Sequence, residues 1–266
     1  MTKTYIGQHF LTNEVILEKI AGFVPKNSTI LEIGAGEGQL TRKLARHASQ
    51  IETVEIDKDL LPTLYLLLRS NKNLKITIEN ALTLDFQKYP NYWLVGNIPY
   101  HITEPLVMKL ADTNFKSIIL MVGDSFGREA TAIPDNMENF GKLSWIIYAY
   151  FRAKIELEVG KENFDPVPRT DSSVLVLTPR NPDEFKDGKL FLMRWLVRSI
   201  KGNKLIKNAL MEGIIRLKKS TKNQAKEIIS NTELSPLLLS KPFEQLNNEE
   251  YRKLYQSLDI VLKLLK

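Results

Sequence analysis

The sequence of 266 residues contains no cysteine and only three histidines, His9, His47 and His101. Without cysteine the chain forms no disulfide, no zinc–thiolate site and no thiol nucleophile. The three histidines show no metal-ligand spacing, so we expect no bound metal. No apolar run reaches the roughly 18 residues that a membrane span needs, and residues 1–14 lack the apolar stretch of a secretory signal. These absences favour a cytoplasmic protein that does not bind a membrane.

What is present is the composition of a globular protein, with 43% hydrophobic and 26% charged residues. The length predicts one large domain with a smaller appendage. Charge divides unevenly, because residues 180–266 hold 18 basic and 10 acidic residues whereas residues 1–179 hold 19 and 21. We therefore predict a near-neutral catalytic domain over residues 1–180 and a basic helical domain over residues 181–266.

Basic residues are densest between positions 194 and 226, where Glu212 is the sole acidic residue. Such a block favours a polyanion, because each phosphate that it neutralises releases counterions. A solvated, lysine-rich helical surface explains the same composition. On the first interpretation, the candidate residues for binding a polyanion such as RNA are Arg194, Arg198, Lys201, Lys204, Lys207, Lys218, Lys219 and Lys222.

Hydrophobic periodicity predicts strands alternating with helices in the first half of the chain. A helix is expected over residues 13–23, with Thr12 as its cap and an apolar stripe made by Val15, Ile16, Ile20 and Phe23. Predicted strands cover 29–33, 50–56, 74–78, 92–96, 117–122, 148–159 and 172–177, and the pattern from residue 188 onward is helical. This order predicts an α/β fold with a parallel sheet covered on both faces.

A glycine-rich turn, Gly34-Ala35-Gly36-Glu37-Gly38, follows the first of these strands. Glycines at the carboxyl edge of a parallel sheet let a ligand approach the backbone. Glu55 lies 21 residues after Gly34 at the end of the next strand, where a carboxylate can accept hydrogen bonds from ribose hydroxyls. A GxGxG turn followed by a carboxylate that can bind ribose hydroxyls fits S-adenosylmethionine, which has no pyrophosphate. An ordinary glycine-rich turn with an unrelated glutamate nearby would give the same pattern.

A second motif, Asn97-Ile98-Pro99-Tyr100, follows the fourth strand of the sheet. The Asn97 side-chain oxygen and the Ile98 carbonyl can accept N–H hydrogen bonds from an exocyclic amine and aim its lone pair at an electrophilic methyl group. Pro99 stiffens the turn, and Tyr100 offers a flat face on which a base stacks, worth roughly 1–3 kcal/mol. In an α/β domain with a nucleoside site, these four residues favour methylation of a nucleobase amine. In isolation they would be an ordinary turn.

Taken together, these motifs resemble the ribosomal RNA adenine N6,N6-dimethyltransferases of the KsgA/Erm family. The resemblance runs through Gly7–Leu11, LEIGAGEGQLT (31–41), VEID (54–57), NIPYHIT (97–103), FGKLS (140–144) and FDPVPRTDSSV (164–174). It implies a Rossmann-like S-adenosylmethionine-dependent methyltransferase domain with a small α-helical C-terminal domain. It also implies that the methyl donor contacts His9, Leu11, Gly34, Glu55, Asn80 and Asn97. The target adenine is then expected between Tyr100 and Phe164.

Two segments depart from the family pattern. Glu79-Asn80 stands where the family usually has Gly-Asp, and the Asn80 oxygen can still accept a hydrogen bond from the adenine of the donor. Residues 123–129 read GDSFGRE where the family usually shows Gln-Lys-Glu-x-Ala-x-Arg beside the RNA cleft. Gly127 is expected to weaken the helix there by roughly 1 kcal/mol relative to alanine.

We therefore predict a monomeric S-adenosylmethionine-dependent rRNA adenine-N6 dimethyltransferase that acts in ribosome biogenesis. Its partner would be rRNA, with adjacent adenines of the small ribosomal subunit or its precursor as targets. A large-subunit rRNA methylase of the antibiotic-resistance type shares the motifs, but Glu104-Pro105-Leu106 and the basic tail favour the small-subunit branch. The divergent residues 123–129 leave open a non-catalytic RNA-binding or assembly factor on the same fold. A DNA or protein amide methyltransferase is disfavoured, because Ile98 replaces the first proline of the related Asn-Pro-Pro-Tyr turn.

Overall fold

The structure is a computed structural model that describes residues 8–134, 139–186 and 188–265. Gly7, the first residue of the first family motif, lies outside the described residues. The described chain forms two compact units. The first unit extends to Arg128 and continues over Arg152–Pro179, and the second comprises Glu129–Phe151 and the chain from Arg180 onward.

A seven-stranded sheet organises the first unit. The strands of the described chain are β1 Phe10–Leu11, β2 Thr29–Ile33, β3 Gln50–Glu55, β4 Leu74–Ile78, β5 Trp93–Asn97, β6 Ser117–Gly123, β7 Phe151–Val159, β8 Phe164–Asp165 and β9 Ser172–Pro179. Their order in the sheet is β4-β3-β2-β5-β6-β9-β7, in which β2 to β6 pair in parallel and β9 joins β6 antiparallel. A separate antiparallel pair joins β1 to β8. The parallel arrangement of the first five predicted strands is confirmed.

Helices connect the parallel strands, as the α/β pattern predicts. Helices α2 Gln39–His47, α3 Leu61–Ser70 and α4 Tyr100–Leu110 join β2 to β3, β3 to β4 and β5 to β6, while α1 Glu14–Gly22 precedes β2 and α5 Asp124–Ala130 follows β6. Every residue of β6 is buried, which explains why SIILMV is a continuous apolar run rather than an alternating one. The core of the first unit therefore lies along the middle of the sheet.

The start of α1 differs from the sequence-based prediction. Asn13, not Thr12, caps the helix, because its side-chain oxygen accepts hydrogen bonds from the backbone N–H groups of Val15 and Ile16 at 3.0 and 3.2 Å. The predicted apolar stripe is wrong at Val15, which is 65% exposed. The buried residues of the helix are Leu17, Ile20 and Ala21.

The second unit is helical. Its helices are α6 Lys142–Tyr150, α7 Gly188–Arg198, α8 Ile206–Lys218, α9 Lys222–Ser230, α10 Pro236–Leu239 and α11 Asn248–Leu264. The strand predicted from Tyr148 is wrong in its first residues, which end α6. This helix buries nearly all its residues, and a short apolar run without a polar face cannot be distinguished from a strand by periodicity.

The sequence analysis predicted one domain boundary near residue 180, whereas in the structure residues 129–151 also belong to the second unit. Trp145 of α6 is fully buried there. Its indole N–H donates to the Met193 carbonyl at 3.3 Å, and its ring lies 5.6 Å from that of Phe243. Burial of this aromatic side chain among the C-terminal helices keeps α6 in the second unit.

Among the residues that the structure describes, no helix combines the length and apolar character needed to cross a membrane.

Candidate active site

A cavity of about 240 Å³ lies in the first unit, where β2, β3 and β5 end. Carboxyl ends of parallel strands meet at one edge of a sheet, which is where open α/β proteins bind ligands. The sequence-predicted site residues that line the cavity are His9, Leu11, Gly34, Glu55, Asn80, Asn97, Ile98, Pro99 and Tyr100. The structure thus brings together residues from motifs that are far apart in the sequence.

Gly34 allows the ends of β2 and β5 to approach. Its φ is +76°, and a Cβ at this position would lie 3.2 Å from the Asn97 carbonyl oxygen. Gly36 has φ +55°, and a Cβ there would lie 2.9 Å from the Phe10 ring. The sequence analysis predicted that these glycines let a ligand approach the backbone. In the structure, glycine is required at both positions because the backbone is left-handed and because a side chain would contact other atoms of the protein.

Glu55 is held in a fixed orientation at the end of β3, with 4% of its surface exposed. One carboxylate oxygen accepts from the Gly36 N–H at 2.9 Å. The other accepts from the N–H groups of Ile56 and Asp57 at 2.8 and 2.9 Å. A carboxylate has about four acceptor positions, so about one remains for a hydroxyl group of a ligand in the cavity.

Asn97, the last residue of β5, is oriented by the N-terminal segment. Its Nδ2 donates to the His9 carbonyl at 3.1 Å, and no described residue donates to its Oδ1. His9 is itself held by the contact of its Nδ1 with the Pro166 carbonyl at 2.7 Å, beside the β1–β8 pair. The Oδ1 of Asn97 is therefore left as an acceptor for a group bound in the cavity.

Tyr100 begins α4 directly after Pro99, which occupies the N-cap position. Its hydroxyl lies 2.5 Å from the Ser172 hydroxyl, and its ring is inclined by 30° to that of His9 with the centroids 6.4 Å apart. Burial raises the pKa of the Tyr100 phenol, so the group stays neutral at physiological pH. A neutral, half-buried aromatic ring thus forms part of the cavity wall.

Glu32 lies on β2, two residues before the glycine-rich turn, and is buried at 1% exposure. One of its carboxylate oxygens accepts from the hydroxyls of Thr41 and Thr53 at 2.7 and 2.6 Å. The other has no hydrogen-bond partner among the described residues. Desolvation raises the pKa of Glu32 to about 7, and the side chain does not line the cavity.

The sequence over residues 1–235 matches the family model described as ribosomal RNA adenine dimethylase. The chain belongs to the ribosomal RNA adenine dimethylase family. It is 32% identical over 248 residues to the ribosomal RNA small subunit methyltransferase A of Streptococcus thermophilus, covering 88% of this chain and 85% of that protein. It is also 32% identical over 266 residues to the protein of the same name from Macrococcus caseolyticus, covering 95% of this chain and 88% of that one.

Solved structures show the same fold for this chain. A dimethyladenosine transferase from Plasmodium falciparum superposes with a TM-score of 0.63 at 23% identity, over 94% of this chain and 98% of that one. The 23S rRNA methyltransferase ErmE superposes with a TM-score of 0.62 at 22% identity, over 94% and 99% of the two chains. The Rossmann-like methyltransferase fold with a helical C-terminal region is thereby confirmed.

Phe164, which the resemblance places against the target adenine, is buried in this structure. The residue is 3% exposed, belongs to the hydrophobic core, and is absent from the cavity lining. Its backbone pairs with Leu11 across the β1–β8 ribbon, and this pairing draws the side chain into the core. The stacking role of Phe164 stays a prediction, and the ring beside Tyr100 in this structure is that of His9.

Asn80 is exposed at the cavity, and its side-chain oxygen accepts from the Leu82 N–H at 2.8 Å. An amide oxygen has two lone pairs, so the expected contact with a donor adenine remains available. Sequence reasoning missed Gln39 and Ile56, which also line the cavity. Each directly follows a residue of a predicted motif, and this position in the sequence could have identified both as cavity residues.

The divergent segment forms helix α5 despite Gly127. A Cβ at Gly127 would lie 3.2 Å from the Ser173 Cβ, so glycine permits close packing of α5 on β9. Asp124 accepts from Arg128 at 2.8 Å and from the Ser173 hydroxyl at 3.1 Å. The Arg128 guanidinium lowers the pKa of Asp124. The Asp124 charge is thus neutralised by Arg128 within the same segment.

In the second unit, the candidate RNA-binding residues fall into two groups. The exposed ones are Arg198, Lys201, Lys204, Lys207, Lys218, Lys219 and Lys222, and Lys204 pairs with Glu212 at 2.6 Å. Arg194 is half-buried instead, with its guanidinium 3.7 Å from the Phe185 ring centroid and 4.5 Å from that of Tyr150. This placement fits a packing role for Arg194 rather than a phosphate contact.

In the part of the chain that the structure describes, no group of three or more His, Asp or Glu side chains is positioned to hold a metal ion.

Proposed function

We propose that this dimethylase methylates the N6 amino groups of adjacent adenines in small-subunit rRNA, with S-adenosylmethionine as the methyl donor, during ribosome biogenesis. The observation that carries the proposal is the placement of the Asn97 Oδ1 acceptor and the Tyr100 ring in the same cavity as Glu55. The relatives named small subunit methyltransferase A support the choice of subunit, since the similarity extends over most of both chains.

The cavity fits a nucleoside-type methyl donor. Glu55 is oriented by three backbone N–H groups and keeps acceptor capacity for a ribose hydroxyl. Asn80 and the β2–α2 turn at Gly34 would hold the remainder of the donor. When bound, S-adenosylmethionine supplies an electrophilic methyl group.

Asn97 and the Ile98 carbonyl would act on the target amine. Both accept N–H hydrogen bonds, which draw the N6 lone pair out of conjugation with the purine ring. Tyr100 would stack on the base after it has left its own stack in the RNA. The nitrogen becomes cationic on methylation and then loses its proton readily to water, so catalysis is mainly positioning.

The exposed lysines and Arg198 of the second unit would bind RNA phosphates. Lys207 lies in the first turn of α8 and Lys218 at its end, and a rise of 1.5 Å per residue separates them by roughly 17 Å. Basic side chains at both ends of one helix can contact phosphates on either side of an RNA groove.

The test uses labelled S-adenosylmethionine and under-methylated small ribosomal subunits, with large subunits and the Asn97→Ala variant as controls. Dimethyladenosine confined to small-subunit RNA, and strongly reduced with Asn97→Ala, is the expected result. Label confined to large-subunit RNA would instead identify a resistance-type methylase. Donor binding without transfer to either subunit would identify a non-catalytic factor. The monomeric state and the cytoplasmic location stay predictions.

A further inference from the structure

The Tyr100 side chain is held at both ends. Its backbone begins α4, and its hydroxyl lies 2.5 Å from Ser172 Oγ, 72 positions later in the chain. Ser172 is the first residue of β9 and is 1% exposed. A tyrosine side chain turns about two bonds, so attachment of the phenol oxygen restricts the plane of the ring.

Gly123 lies opposite Ser172 in the register of β6 and β9. A Cβ at Gly123 would lie 3.5 to 3.7 Å from three ring atoms of Tyr100. This is ordinary van der Waals distance, so a longer side chain would enter the space next to the ring. The Gly123–Ser172 pair therefore forms a seat for Tyr100, with a hydroxyl anchor on β9 and a residue without a side chain beside the ring on β6.

Ser173 provides an internal comparison. It is fully buried, as Ser172 nearly is, and its hydroxyl bonds to Asp124 at 3.1 Å. Successive strand residues face opposite sides of a sheet, so Ser173 contacts α5 while Ser172 contacts Tyr100 at the start of α4. Loss of either hydroxyl removes one buried hydrogen bond, but only one of the two touches the cavity wall.

We propose that Ser172 is a positioning residue, which with Gly123 fixes the Tyr100 ring in the plane needed to stack the target adenine. The proposal rests on the proposed function, in which Tyr100 stacks that base. Ser172 touches neither substrate in this role and acts through Tyr100. A misplacement of about 1 Å in a group that orients a substrate can lower a rate by about 100-fold, so the anchor matters for kcat rather than for donor affinity.

The experiment measures methyl transfer to under-methylated small ribosomal subunits by wild type, Ser172→Ala, Ser173→Ala, Tyr100→Phe and the Ser172→Ala/Tyr100→Phe double variant. Donor affinity is measured by calorimetry and stability by thermal unfolding for each. We expect Ser172→Ala to lower kcat by about 10- to 100-fold with the donor Kd within about twofold, and Ser173→Ala to keep the wild-type kcat. The double variant is expected to match the slower single variant, because each substitution breaks the same O–H···O contact.

Gly123→Leu is a second variant, which tests from β6 whether the position of the Tyr100 ring matters. It is expected to lower kcat with an unchanged donor Kd, because its side chain competes with the Tyr100 ring for space. Equal kcat for Ser172→Ala and Ser173→Ala, or independent multiplicative effects in the double variant, would overturn the proposal while leaving the proposed function intact. No transfer by the wild-type protein would overturn both.

Discussion

The side-chain amide of Asn97 donates to the backbone carbonyl of His9 at 3.1 Å, although the two residues are 88 positions apart in the chain. This hydrogen bond settles which way the amide faces, because only Nδ2 can donate to a carbonyl. The Oδ1 atom is then the end that remains for a substrate amine. The N-terminal segment thus orients a side chain on β5 through a backbone carbonyl.

Asn97→Ala removes this acceptor and is expected to lower the methyl transfer rate by about 100- to 1,000-fold, the usual effect of losing an oriented polar group at a reacting centre. Donor affinity should stay within a few-fold, because Glu55 and the glycine turn are unchanged. Single-turnover transfer and calorimetry measure the two effects separately. A variant that keeps the wild-type rate would contradict the role of Asn97.

Gly34→Ala tests the close approach of β2 and β5. The added Cβ would lie 3.2 Å from the Asn97 carbonyl oxygen at a φ of +76°, so we expect weaker donor binding, slower transfer and a loss of about 1 kcal/mol or more in unfolding free energy. Gly22→Ala is the matched control, since a Cβ there meets nothing within 4 Å. Because Gly22 ends α1, that control should gain about 0.5–1 kcal/mol. Equal effects of the two substitutions would show that the contact with Asn97 has no consequence.

Lys218→Ala and Lys222→Ala test the basic surface of the second unit. Each variant should bind small-subunit RNA more weakly and reduce the slope of log K against log salt by about one. Fluorescence anisotropy between roughly 50 and 200 mM salt measures the slope. Lys88→Ala, an exposed lysine of the first unit, is the control and should keep the wild-type slope. RNA binding that does not depend on salt would exclude phosphate contacts as its source.

Arg194→Ala distinguishes packing from RNA binding. Because the Arg194 guanidinium lies against the rings of Phe185 and Tyr150, its removal should lower the unfolding free energy by about 1–2 kcal/mol. Arg198→Ala, at an exposed position at the end of α7, should weaken RNA binding and affect stability less. Denaturant unfolding and RNA titration of both variants test this contrast, and the reverse order of effects would restore Arg194 to the RNA-binding surface.

Glu32 predicts a pH dependence of stability. Its pKa is about 7 in the folded protein against an ordinary 4.5, so between these values the folded state keeps a proton that the unfolded chain has lost. The unfolding free energy of the wild type therefore falls, relative to Glu32→Gln, as pH rises from about 4.5 to 7, by an amount on the order of 3 kcal/mol. Denaturant unfolding at pH 5 and pH 8 measures the change. Between pH 8 and pH 9 the difference in unfolding free energy between the wild type and Glu32→Gln should stay constant. A wild-type unfolding free energy that rises relative to Glu32→Gln between pH 5 and pH 8 would contradict the assignment.

The sequence by itself determined the alternating strands and helices and the motifs at the strand ends. Hydrophobic period and turn residues are local properties, so the parallel strands β2 to β6 and the placement of Gly34, Glu55 and Asn97 at one sheet edge followed from them. The family resemblance added His9, Leu11 and Asn80, which have no local signal of their own and which the structure places in the same cavity.

Only the tertiary structure decided which side chains meet. The contacts of Asn97 with His9 and of Tyr100 with Ser172 join positions 88 and 72 residues apart, and no sequence period reports such pairs. Burial of Phe164 in the core and of Arg194 between aromatic rings, like the placement of residues 129–151 in the second unit, likewise depends on how distant segments pack. The physical reason is that side-chain burial and hydrogen-bond partners are properties of the folded surface, whereas strand and helix periods are properties of the neighbouring chain.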